Sequence, residues 1–257
     1  MNKLVKLFAL TVMLIMGGQA MAQTRGAMFL GASFPVNDFA KFDGFSEFAL
    51  TAYDEDDGGA GIGFNAGLKW YFNVGVKGLG VMLSLDGFYN GPNEDLKNAF
   101  RERETNYHGQ FYEGSFKYTS TPKYINVPAM LGLNYIFNFN PNLGFYVEAG
   151  AGGNFRFITL MESVDRGNLV GIETQVKEAV DYDMAFGFAY QAGLGFVVAK
   201  NLVIGCSFYD LGGAAINCEK TVKTRTFNDN ITNTDVTYPV YGTIHPMMIL
   251  GRVGFSF

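Results

Sequence analysis

Large apolar side chains alternate with small or polar ones along much of this chain. In Gly61–Phe72 one side is Ile62, Phe64, Ala66, Leu68, Trp70 and Phe72, and the other is Gly61, Gly63, Asn65, Gly67, Lys69 and Tyr71. In Asp183–Val198 one side is Met184, Phe186, Phe188, Tyr190, Ala192, Leu194, Phe196 and Val198, set against Asp183, Ala185, Gly187, Ala189, Gln191, Gly193, Gly195 and Val197. A period of two is that of a β-strand with two different environments on its faces. The same reading predicts eight strands, at Arg25–Phe34, Gly61–Phe72, Gly78–Asn90, Pro122–Phe139, Leu143–Ile158, Asp183–Val198, Asn201–Leu211 and Thr243–Phe257. Short segments (73–77, 140–142, 199–200) alternate with long, polar, charge-rich ones (35–60, 91–121, 159–182, 212–242). Tight turns on one side and long loops on the other predict an all-β fold, an eight-stranded antiparallel up-and-down transmembrane β-barrel. Both termini then lie on the short-turn, periplasmic side.

Alternation alone does not say which face points outward, because a soluble ligand-binding barrel alternates too. The second face decides. It carries Gly, Ala and Ser with a few isolated charges, where a water-facing strand would carry Lys, Glu and Thr. Small residues suit the crowded interior of an eight-stranded barrel, so the greasy face is read as lipid-facing. The first strand leaves its parity open, with Ala27, Met28, Phe29 and Leu30 in a row. Pro128 has no N–H for a closed ladder, so a bulge or local break is expected there. Trp70, Phe72, Tyr135, Phe137, Phe139 and Phe145 gather beside the tight turns, as an aromatic girdle at headgroup level would.

The ends of the chain add a destination. Lys3 and Lys6, an apolar stretch Leu7–Met16 and Ala20-Met21-Ala22 form a secretory signal over residues 1–22, with cleavage expected between Ala22 and Gln23. Residues 23–257 are then the barrel. The last strand ends Arg252-Val253-Gly254-Phe255-Ser256-Phe257, and its alternating Phe255 and Phe257 read as the assembly signal of outer-membrane barrels. The chain has 33 glycines and 16% aromatic residues, both suited to a small barrel. Loss of Lys3 and Lys6 takes the net charge from −5 to −7, a poor match to nucleic acid. Two cysteines, Cys206 and Cys218, are too few for a disulfide scaffold. Parity sets Cys206 toward lipid and Cys218 in the fourth loop, so a bridge between them is discounted.

Tyr124-Ile125-Asn126-Val127-Pro128-Ala129-Met130-Leu131 and Gly144-Phe145-Tyr146-Val147-Glu148-Ala149-Gly150-Ala151-Gly152 resemble adjoining strands of the outer-membrane β-barrel domain family, which includes porin-family and PorT-like proteins. The shared pattern is a Tyr-x-x-Ile/Val-Pro strand, a turn, and a Tyr-x-Glu-x-Gly strand. The layout is more distantly similar to OmpX and to the membrane domain of OmpA. The resemblance implies the fold and makes the proline part of the pattern; it implies little about activity. Through the PorT-like members it implies an accessory role in protein secretion as one option.

Candidate chemistry is sparse. Parity places Lys69, Asp86, Glu148, Arg156, Gln191 and Arg252 inside the barrel. Lys69, Glu148 and Arg252 fall at a similar height, with Glu148 expected between the two cations. Charges in a narrow lumen must be paired or solvated. Such a cluster serves as a gate or selectivity filter, or as a structural plug, and the plug is preferred. The acidic run Asp54-Glu55-Asp56-Asp57 lacks calcium-loop spacing and is read as a solvated loop, so no metal or cofactor is expected. His108 and His245 have no Ser–His–acid grouping around them, and no catalytic residue is assigned. The expected function is a monomeric structural or interactive barrel of the outer membrane. Its expected partners are outer-membrane lipids, lipopolysaccharide and the barrel assembly machinery, and nucleic acid is not among them. A narrow passive channel for ions or small solutes is the alternative.

Overall fold

The computed structural model describes residues 24–42, 58–106, 114–169, 171–227 and 232–257. The signal segment, with Ala22 and Gln23, the acidic run 54–57 and His108 lie outside the described residues. Eight strands form a closed antiparallel barrel: β1 (Thr24–Val36), β2 (Ala60–Asn73), β3 (Leu79–Pro92), β5 (Tyr124–Asn140), β6 (Leu143–Ile158), β9 (Ala185–Val198), β10 (Leu202–Asp210) and β13 (Met247–Ser256). Each pairs with its neighbour in sequence, and β13 closes on β1. The expected architecture is therefore the one observed.

Register fixes the barrel's shape. Following directly paired residues from Arg25 leads through Tyr71, Met82, Gly132, Gly150, Gln191, Tyr209 and Met248 to Pro35. The path returns to β1 displaced by 35 − 25 = 10 residues, so the shear number is 10. For eight strands this belongs to a tilt of roughly 35–45° and a bore that side chains can fill.

The greasy face is outside. Met28 and Leu30 are 52% and 62% exposed, while Ala27 and Phe29 are 1% exposed, which settles the parity of β1. Phe64, Leu131, Phe186, Phe188, Leu194 and Val253 also stand on the outer surface. Tyr135, Phe137, Phe145 and Phe196 form a run of ring contacts beside the tight turns, with centroids 4.5, 6.2 and 5.4 Å apart in succession. At Pro128 the ladder to β3 lapses between Ala129 and Asn126 and resumes in the same register. This is a local break without a bulge, and the ladder to β6 runs on through Pro128.

The long connections depart from the sequence reading. Three of them are folded: β4 (Ser115–Ser120), β7 (Met161–Leu169), β8 (Ile172–Tyr182), β11 (Ala214–Phe227) and β12 (Thr232–Ile244) make a five-stranded sheet in the order β12-β11-β8-β7-β4. A helix, α1 (Glu94–Asn106), joins β3 to β4. Asn93 caps it, its side-chain oxygen accepting the Leu96 N–H at 2.8 Å. Leu96 and Phe100, four residues apart on one helix face, bury against Tyr118, Met161, Val180 and Cys218 of the sheet. Phe39, in the one-turn helix Asn37–Phe39, packs edge-on against Tyr124 with ring centroids 5.2 Å apart. With Phe88, Ile158, Leu211, Ile216, Ile244 and Met248 it forms an apolar layer at the long-loop end of the barrel.

Cys206 is exposed on the outer barrel wall and Cys218 is buried under α1, and no disulfide joins them. Burial pushes the Cys218 thiol up to about 11. The unfolded thiol ionises first as pH rises, so this residue's contribution is complete below its ordinary value of 9.0 and declines toward 11. Hydrogen exchange of the outer sheet is expected to quicken over that window, and Cys218→Val to remove that part of the pH dependence. On the barrel wall, Leu131→Arg is expected to cost about 2–4 kcal/mol of folding free energy in lipid vesicles, measured by urea titration, because it puts a cation near the middle of the lipid-facing surface.

Candidate functional site

Lys69, Asp86, Glu148 and Arg252 meet inside the barrel, each inward because β2, β3, β6 and β13 alternate strictly there. The Lys69 ammonium donates to Glu148 Oε1, and to Gln191 Oε1 at 3.3 Å. Arg252 Nη2 donates to the same Glu148 Oε1 at 3.3 Å and to Ser207 Oγ at 2.6 Å. Its Nη1 donates to Asp86 Oδ1 at 3.2 Å and to the Tyr209 hydroxyl at 3.1 Å. The Tyr209 hydroxyl donates to Asp86 Oδ2 at 2.9 Å, and that of Tyr71 to Glu148 Oε2 at 3.3 Å. Glu148 thus lies between two cations, and Arg252 between two carboxylates. The Phe29 ring faces both cations, 5.6 Å from Lys69 Nζ and 5.1 Å from Arg252 Cζ.

Two cations and two carboxylates leave the cluster formally neutral. The charged ends of all four side chains have 1% or less of their surface exposed. Removal from water costs several kcal/mol per ion unless the partners are close and well oriented. The hydroxyls of Tyr71, Ser207 and Tyr209 and the amide of Gln191 supply further hydrogen bonds, and Arg252 Nε is left without one. Two glycines make room for this. A Cβ on Gly67 would lie 1.9 Å from Asp86 Oδ1, and one on Gly193 would lie 2.5 Å from Ser207 Oγ and 2.9 Å from Glu148 Oε1. The carboxylates lie flat against bare backbone on neighbouring strands.

The cluster sits between two apolar layers. On the short-turn side are Ala27, Phe29, Tyr146, Val197 and Val203, with Tyr71 and Ile136 packed against them. On the other side is the layer containing Phe39, Phe88, Tyr124 and Met248.

Arg156 belongs elsewhere. It is eight residues beyond Glu148 on β6, about 25 Å along the strand, too far to share the carboxylates. Its guanidinium donates to Asn126 Oδ1 at 3.3 Å and to the carbonyls of Ile244, Leu211 and Gly212 at 2.5, 3.4 and 2.7 Å. Those carbonyls lie where β10 leads into β11 and β12 into β13. At the same junction His245 Nε2 is 2.7 Å from Asp210 Oδ1, and the Leu211 N–H donates to Pro246 O at 2.9 Å. Arg156 therefore ties the outer sheet to the barrel.

Sequence reasoning missed Tyr71, Ser207 and Tyr209 as partners in the cluster, although strand parity puts all three on inward faces. It could not place Phe29, whose strand lacks a clear period. Asp210 was missed as the partner of His245 because it comes from another strand end. At the chain terminus, Gly26 and Phe257 exchange backbone hydrogen bonds of 3.0 and 2.9 Å. Phe255 and Phe257 point outward, and Ser256 points inward.

No family model and no curated protein matches the chain. Among solved structures it is similar to Ail of Yersinia pestis, solved with the heparin analogue sucrose octasulfate, at 15% identity over 91% of this chain and 99% of that one, with a TM-score of 0.35. It is also similar to Neisserial surface protein A at 10% identity, covering 92% and 98%, with a TM-score of 0.38. OprG of Pseudomonas aeruginosa is similar at 12% identity, covering 91% and 94%, with a TM-score of 0.37. These are outer-membrane barrels of eight strands. Likeness at this level says nothing about activity, and the closed barrel here rests on the chain's own ladder.

Glu148→Ala is expected to destabilise the barrel by about 3–5 kcal/mol in urea unfolding from vesicles, since it leaves buried Lys69 without its carboxylate and Arg252 with one of its two. Replacing the short-contact pair together, Lys69→Met with Glu148→Leu, is expected to recover much of that loss. The double variant still leaves Arg252 with Asp86, Tyr209 and Ser207.

Proposed function

We propose that this chain is an integral outer-membrane barrel of structural or interactive type, with a lumen closed to solutes and a folded sheet displayed outside the cell. The carrying observation is the neutral Lys69–Glu148–Arg252–Asp86 cluster, buried between two apolar layers. A passing ion would have to displace partners that hold each other in a low-dielectric interior, and nothing it carries replaces four mutually paired charges. A channel lining would keep its charges wet and facing an open path.

Several features support the membrane and its orientation. The lipid-suited wall is made of exposed Phe, Leu and Val. The signal-like first 22 residues and the terminal Phe255 and Phe257 suit export and assembly into the outer membrane. Short turns at the end that carries both termini suit the periplasm, and this supports an extracellular position for the five-stranded sheet. With the lumen closed, that sheet is the surface left to meet a partner.

Planar-bilayer recording tests this. The folded wild type is expected to give no stable conductance, and Glu148→Ala only brief, noisy openings. A large, steady wild-type conductance would replace the plug with a pore.

A further inference from the structure

The outer sheet has two unlike faces. One carries Tyr118, Met161, Val180 and Cys218 and is covered by α1. The register of the opposite face aligns side chains into cross-strand rows. One row is Lys117, Val164, Lys177, Lys223 and Asp235. The next row outward from the barrel contains Ser115, Arg166, Gln175 and Arg225. Five cations and one carboxylate thus share two adjacent rows of a chain whose net charge is −5. Nearer the barrel the same face turns acidic, with Asp181 opposite Glu219.

We propose that these two rows bind a sulfated polysaccharide. The proposal rests on the reading that this sheet lies outside the cell. Lys177 stands directly opposite Lys223, and like charges facing across a ladder destabilise a sheet. Glu162 offsets Lys177 at 2.7 Å and Asp235 offsets Lys223 at 3.8 Å; Lys117 and Arg166 are exposed. A bound polyanion adds counter-charge beyond those two carboxylates. Strands about 4.8 Å apart spread the five cations over β4, β7, β8 and β11, across roughly 14 Å, a flat strip suited to an extended chain with repeated negative groups.

Three features select the polymer. Lys223 is nine residues beyond the start of β11, Lys177 five before the end of β8 and Lys117 three before the end of β4, about 30, 17 and 10 Å from the barrel end of the sheet, so the strip climbs away from the headgroups of the protein's own membrane. No aromatic ring occupies the two rows between Lys117 and Asp235 or between Ser115 and Arg225, so bases have nothing to stack on. Ser115, Gln175 and the adjoining Thr221 offer hydrogen bonds to hydroxyl groups. At the end of the strip, Gly114, Ser115, Arg166, Gly167, Asn168 and Glu173 line an open cleft of about 400 Å³. Arg166 suits a sulfate there, and the Glu173 carboxylate suits a sugar hydroxyl.

The test uses the full mature protein in nanodiscs, with heparin of defined length as probe and neutral dextran and single-stranded DNA as controls, read by surface plasmon resonance at two salt concentrations. Heparin is expected to bind, more weakly at higher salt, while dextran does not. The variant Lys117→Gln with Arg166→Gln and Arg225→Gln is expected to lose at least about tenfold in affinity with its barrel melting unchanged. Glu162→Gln, which releases Lys177, is expected to bind more tightly. Absence of heparin binding, an unaltered triple variant, or DNA binding as tight as heparin overturns the proposal. Any of these in a protein that passes no current in a bilayer leaves the closed-barrel reading standing.

Discussion

An eight-stranded barrel has to fill its own bore, and here the filling is electrostatic. A shear of 10 opens the wall enough that small side chains alone would leave space, while the bore stays too narrow for a broad aqueous channel. Lys69 and Arg252 reach across from β2 and β13 to Asp86 on β3 and Glu148 on β6. Each bridge spans strands that are not neighbours in the ladder. Backbone hydrogen bonds pin each strand only to those beside it, so the cluster ties opposite walls together. A one-residue slip of any contributing strand would turn its charge toward lipid. The same residues therefore fill the bore and penalise wrong registers.

The outer sheet is a continuation of the barrel rather than a separate body. β6 leads to β7, β8 to β9, β10 to β11 and β12 to β13 through short links, so strand direction is largely inherited from the wall below. Inheritance alone would leave a hinge at the rim. Arg156 spans it with donors to Leu211, Gly212 and Ile244, and Asp210 with His245 joins the two crossings from the side. Backbone carbonyls at a strand crossing need donors that the ladder cannot supply, and a guanidinium provides several in one plane. A buried cation held by carbonyl dipoles and an amide is thus explained without a carboxylate.

Barrel strands were legible because lipid and packed interior impose opposite chemistry on alternate residues. Phe186, Phe188 and Tyr190 against Gly187, Ala189 and Gln191 is the clearest case. The outer strands were not legible because water bathes one face and only part of the other is apolar. In β11, Lys220, Val222 and Thr224 share a face, and Thr221, Lys223 and Arg225 the opposite one, so polarity carries almost no period. The β-branched content of Thr221-Val222-Lys223-Thr224 was the remaining signal. For α1 the signal was Asn93 ahead of Leu96 and Phe100, a cap followed by one apolar pair, submerged in charged residues. The site divided along the same line. Lys69, Glu148 and Arg252 could be placed by counting along regular strands. The partners of Arg156 are backbone carbonyls, which no residue identity reveals.

Filling the bore with paired charges shifts where selection can act on function. Interior positions are bound to one another: Gly67 must stay bare for Asp86, Gly193 for Glu148 and Ser207, and each charge for its partner. Lipid-facing positions need only be apolar and of fitting size. The polar face of the outer sheet has neither constraint, because its ladder is held by backbone bonds and its core by residues on the other side. Its side chains can change without unsettling the barrel, and a charge pattern there is the least dictated by folding. Two facing lysines cost that sheet stability, and the ion pairs to Glu162 and Asp235 return only part of it. Their presence on an otherwise acidic chain is better explained by what the surface meets than by what it holds together.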